Sequence, residues 1–146
     1  MKFRTMAVAG CAAVLAAGLT TGTASATEVL PCSTPFTSPP VRIVGSGWAY
    51  QYQVLWCAEG GVITAIEQRV THEEDGSKCV WVGNAEESLT RVPDGSGGWN
   101  TFNMAEFSCK QGDGTDGSFN PWAVVTVWPN GDSRTPRKGV GDEILD

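Results

Sequence analysis

Trp48-Ala49-Tyr50-Gln51-Tyr52-Gln53-Val54-Leu55-Trp56-Cys57 changes character at every step. Trp48, Tyr50, Tyr52, Val54 and Trp56 fall on one side, and Ala49, Gln51, Gln53, Leu55 and Cys57 on the other. A repeat of two is the signature of a β-strand, whose side chains alternate between two faces. Gly60-Gly61 follows as a hairpin turn. Val62 to Thr71 reads as the return strand, with Val62, Ile66 and Val70 on one face and Glu67 and Arg69 on the other.

The same punctuation runs outward in both directions. Val41 to Val44 is a short strand before the aromatic one. Asp75-Gly76 turns the chain into a third strand at Lys78 to Val82, and Thr101 to Cys109 is another. Trp122 to Trp128 (WAVVTVW) is almost continuously apolar, which suits a central strand covered on both sides. Pro129-Asn130-Gly131-Asp132 is a turn. Asn84 to Asn100 and Gln111 to Ser118 are polar and glycine-rich, so both read as loops, the first with room for a short edge strand. No helical periodicity appears after residue 26, and there is no internal repeat. The expectation is an all-β fold, a small antiparallel sandwich or barrel of about six strands. Its domain spans 41–132. A Pro/Ser/Thr-rich, extended arm precedes it at 27–40, and a polar tail follows at 133–146, with room for a short final strand at Glu143 to Leu145.

Residues 1–26 read as an export signal. Lys2 and Arg4 precede an apolar run from Ala7 to Leu19, and Ala24-Ser25-Ala26 forms a cleavage site. The run is shorter than the roughly 20 residues that span a bilayer. Val8-Ala9-Gly10-Cys11 has the look of a lipoprotein box, but the apolar run continues past Cys11 where lipidation would need it to stop. Cleavage after Ala26 leaves one domain, outside the cell. Removing Lys2 and Arg4 from the 10 basic residues leaves 8 against 16 acidic ones, a net charge of −8. An acidic surface argues against nucleic acid and anionic membranes as partners and favours a basic one.

Four of the 5 cysteines remain: Cys32, Cys57, Cys79 and Cys109. An even number in an exported chain implies two disulfides, and the residues alone leave three pairings open. With no C-x-x-C pair and with His72 as the single histidine, a metal site is not expected, and no cofactor is. Catalysis has no visible support either. His72 runs into the acidic turn Glu73-Glu74-Asp75, and the carboxylates lie mostly in turns with no motif selecting a pair. Gly112-Asp113-Gly114-Thr115-Asp116-Gly117 lacks the acid spacing of a calcium loop.

The aromatic count stands out, with Trp 6 and Tyr 2. Trp122 and Trp128 belong to the most apolar strand and so to the core. For the Trp48-Tyr50-Tyr52 stripe two readings stay open: it is core, or Leu55 and Cys57 face the core and the stripe lines a surface. On the second reading Trp48, Tyr50, Tyr52 and the loop residue Trp99 are the partner-binding candidates.

Trp48-Ala49-Tyr50, Cys57-Ala58-Glu59, Val62-Ile63-Thr64, Glu73-Glu74-Asp75-Gly76 and Cys79 follow an order that resembles the secreted proteinaceous α-amylase inhibitors of actinobacteria, the tendamistat type. The similarity covers Cys32 to Cys109. It implies a six-stranded sandwich with sequential disulfides, Cys32–Cys57 and Cys79–Cys109. It also implies that Trp48 and Tyr50 match the aromatics of a Trp-Arg-Tyr turn that enters the amylase cleft. Here Ala49 stands in place of the arginine, the spacings from Cys32 to Trp48 and from Cys57 to Cys79 differ, and the chain continues beyond Cys109.

The functional expectation is a secreted, non-enzymatic protein-binding module. It is either an inhibitor of an extracellular hydrolase or an adaptor subunit of a secreted multi-protein toxin complex. The alternative is a carbohydrate-binding module that stacks polysaccharide on the aromatic stripe. An inhibitor should project a constrained loop, and an adaptor should show an unpaired strand edge.

Overall fold

The computed structural model describes residues 30–146. The expected signal and the first residues of the arm lie outside them. Ten strands build two antiparallel sheets: β1 (Phe36–Thr37), β2 (Val41–Gly45), β3 (Trp48–Glu59), β4 (Val62–Glu74), β5 (Cys79–Arg91), β6 (Trp99–Lys110), β7 (Asp116–Phe119), β8 (Pro121–Val127), β9 (Ser133–Val140) and β10 (Glu143–Leu145). In the first sheet β3 is central, with β1 and β2 along one side and β4 along the other. The second sheet runs β10-β9-β8-β6-β5, with β7 beside the end of β6.

The bonded cysteines are Cys32–Cys57 and Cys79–Cys109. The first ties the N-terminal segment to β3. The second joins register partners on β5 and β6. Closing loops of 25 and 30 residues contributes on the order of 3 kcal/mol each in the chain-entropy account. Two disulfides fit an oxidising environment. Among the described residues no helix is long and apolar enough to cross a membrane.

The core lies between the sheets and decides the face of β3. Trp48, Tyr50, Tyr52, Val54 and Trp56 are all buried, packed with Phe107, Ala105, Ala123, Val125 and Val127 of the second sheet. Gln51, Gln53 and Leu55 face outward. Each ring carries some 150–250 Å² of mostly apolar surface, and burying the glutamine face instead would strand amides without partners. The polar ends of the rings are satisfied inside. Tyr50 Oη donates to Asn103 Oδ1 at 2.8 Å, Tyr52 Oη sits 2.8 Å from Thr101 Oγ1, and Trp56 Nε1 donates to the Trp128 carbonyl at 2.9 Å.

Three polar segments are more ordered than the sequence suggests. Asn84 to Arg91 is not loop but the far half of β5, which leaves only residues 92–98 as the connection to β6. The end of the Gln111–Ser118 loop becomes β7, and the tail beyond Asp132 becomes β9 and β10. Pro136 is accommodated in β9 where the β8–β9 register shifts between Val124 and Thr126, a bulge that frees it from the ladder.

Candidate functional site

None of the four expected binding aromatics is a surface anchor. Trp48 is 6% exposed, and Tyr50 and Tyr52 are fully buried, so the exposed reading of the stripe is corrected. Trp48 and Tyr50 lie within a strand rather than in a projecting turn, and Trp48 stacks on Phe107 at 5.1 Å. Trp99 opens β6 instead of tipping a loop. It is half-buried at the margin of the core, with the Arg91 guanidinium 4.9 Å above its ring. Carbohydrate stacking on this stripe therefore has no platform.

The accessible chemistry lies elsewhere, on the side where β4 and β5 run past each other. Each is 13 residues long, each is the last strand of its sheet, and the two are not paired with one another. Leu89 faces inward by register, opposite the buried Thr101, yet it is 42% exposed. Glu87, opposite the buried Asn103, is likewise exposed. The sheets thus splay apart here. A cleft of about 370 Å³ opens between Ala65, Ile66, Glu67 and Gln68 of β4 and Glu87 of β5, with Leu30 and Pro31 beside it.

Behind the cleft a polar chain reaches into the core. Glu87 Oε1 accepts from Asn103 Nδ2 at 2.9 Å and from Asn84 Nδ2 at 3.2 Å, and Asn103 in turn accepts from Tyr50. Gln68 Oε1 is 2.6 Å from Tyr52 Oη. Tyr52 has a single proton to give, so its contacts with Gln68 and Thr101 cannot both be its donations. Burial pushes both phenols well above their ordinary pKa, with the Glu87 charge adding to the effect, so both stay neutral.

One end of the open side is closed by His72 of β4. Its ring stacks on Trp81 of β5 at 4.1 Å and 2° between planes, while Nδ1 meets Glu74 Oε2 at 2.7 Å. The His72–Glu74 contact is that of an imidazole with an orienting carboxylate, and the face of the ring is taken up by Trp81. Among the described residues no group of three His, Cys, Asp or Glu side chains is placed to hold a metal ion.

Gln68, Glu87, Leu89 and Asn103 were not among the residues expected from the sequence. A pattern-based reading had one signal for them: Leu89 is the only large apolar residue between Asn84 and Arg91. Comparison with family models, with curated proteins and with solved structures gives no match for this chain.

Proposed function

We propose that the protein is a secreted, non-enzymatic protein-binding module of the adaptor kind, docking an extended segment of a partner on the open β4–β5 side. The observation that carries this reading is the pair of unpaired 13-residue edges facing one cleft, with inward-facing Leu89 left 42% exposed. An edge strand offers a row of free N–H and C=O groups, and an added strand gains affinity from the ladder and specificity from alternate side chains. The turns at Gly60-Gly61 and Asp75–Lys78 are short, so a long projecting inhibitory loop has less support than the edge.

The chemistry of the segment follows from charge. Glu67 and Glu87 are the charged residues that line the cleft, with Arg69 paired to Glu67. A basic extended segment with an apolar residue for Leu89 and Ile66 fits that balance. The register shifts at Trp81/Gly83 and Asn84/Glu86 and the carboxylates protect β5 against pairing with itself.

The test is capture of secreted partners from the producer's culture medium by the wild type and by Leu89→Lys, with amide exchange measured on the complex. The proposal expects slowed exchange in β4 and β5 on binding, and an affinity at least about tenfold weaker in the variant. A bound protein that leaves exchange in both strands unchanged, or retention on polysaccharide alone, would refute it.

A further inference from the structure

The outer face of the second sheet lacks the cover that its sequence calls for. Strand β8 is apolar on both faces. Pro121, Ala123, Val125 and Val127 point into the core, while Trp122 and Val124 point outward. Beside them Phe102 and Met104 of β6 point outward as well, with the Phe102 and Trp122 rings 6.2 Å apart. All ten strands belong to the two sheets, and the first sheet packs on the inner face. Among the described residues no third layer of strand or helix lies over Phe102, Met104, Trp122 and Val124, which are half-buried by their neighbours. An antiparallel sheet facing water normally alternates apolar-in and polar-out, and this one does not.

The charges flanking the apolar centre are polarised across the strands. On one side β5 presents Glu86, the register partner of Met104. On the other, β9 presents Arg137 and Arg134, partners of Val124 and Thr126. The order across the face is acid, apolar, apolar, base. Rotating a copy about an axis parallel to the strands, between β6 and β8, lays its β5 over the first copy's β9 and its β8 over the first copy's β6. Met104 and Phe102 then meet Trp122 and Val124, and Glu86 comes over Gly139, whose next neighbour on the same face of β9 is Arg137. An axis across the strands would instead lay β5 over β5 and β9 over β9, acid near acid and base near base. Only the first arrangement joins opposite charges, and it makes a self-complementary two-fold interface.

We propose that this face is a homodimer interface: a second copy of the chain packs on the outer side of β6 and β8, sheet against sheet, with Glu86 of each copy beside Arg137 of the other. Two sheets packed in this way keep their strands within about 30° of each other, as inside a sandwich. The inference is independent of strand docking at the β4–β5 edge, because it uses the face of the sheet and not its free backbone groups.

Sedimentation analysis of the purified, disulfide-bonded protein tests it. Wild type is expected to be a dimer at micromolar concentration. Glu86→Arg alone and Arg137→Glu alone should each weaken the dimer about tenfold. The double variant E86R/R137E should return to within about threefold of wild type, because the pair is only exchanged. Both side chains are exposed, so native circular dichroism should persist in every variant. A wild-type protein that stays monomeric across the concentration range overturns the proposal. So does a dimer indifferent to both single reversals, and so do single losses that the double variant fails to recover.

Discussion

The outer faces of the two sheets solve the same problem in opposite ways. On the first sheet the outward side chains include Gln51 and Gln53 of β3, Arg42 of β2, and Glu67, Arg69, Thr71 and Glu73 of β4, with Leu55 and Val44 as apolar members. Arg42 donates to Glu73 through both terminal nitrogens at 3.1 Å, and Arg69 meets Glu67 at 2.7 Å. The hydrogen bonds from Arg42, and then its charge, hold the Glu73 carboxyl below its ordinary pKa. On the second sheet the corresponding positions are Phe102, Met104, Trp122 and Val124. Trp122 lies flat over Gly139, where a Cβ would fall 2.6 Å from its ring, and its Nε1 donates to the Gly141 carbonyl at 2.8 Å. A water-facing sheet needs no such fitting of an indole. The difference makes the centre of the second sheet's outer face the more apolar of the two.

The comparison breaks most sharply inside the sandwich. Trp48→Ala is expected to destabilise the protein by about 3 kcal/mol or more in denaturant unfolding, because it opens a cavity against Phe107. Were the stripe an exposed binding surface, the same change would leave stability nearly untouched. Phe102→Ser should have an intermediate effect, about 1 kcal/mol on the fold from lost apolar contact, together with weaker self-association in the sedimentation experiment. The smallest effect belongs to the first sheet's outer face. Arg42→Ala should leave the unfolding midpoint within error, since an exposed ion pair contributes little. A large loss there would mean that this polar face, too, is packed against something.

The strands whose two faces differ in polarity, β3 and β4, were legible in the sequence except at the start of β4, where the register shift beside Cys57 and Ala58 turns Val62 outward and buries Ile63 instead. So was the disulfide count. What the alternation in β3 could not say was which face is inner. That choice rests on Asn103 and Thr101, which lie 53 and 49 residues from the phenols they satisfy. The polar stretch Asn84–Arg91 hid a strand because both of its faces are wet, one toward solvent and one toward the cleft. Residues 133–140 hid another because Pro136 and three basic residues disguise a strand that is paired on both sides. The β4–β5 cleft was illegible for the same reason: it is made by two strands meeting across different sheets, which no local pattern records.

The central claim is that the aromatic stripe of β3 is core, and the two tyrosines test it directly. Tyr50 and Tyr52 are the only tyrosines in the chain, and burial raises both pKa values in the folded protein. The unfolded chain releases these protons near pH 10, while the folded protein holds them. Their contribution to stability is therefore complete below about pH 10 and is lost as pH rises from there toward the raised folded values. An alkaline titration followed by phenolate absorbance and circular dichroism together should show no phenolate while the fold persists. Both tyrosines should then ionise in one step coincident with unfolding. A tyrosine that titrates reversibly near pH 10 in the folded protein would contradict the claim and return the stripe to the surface.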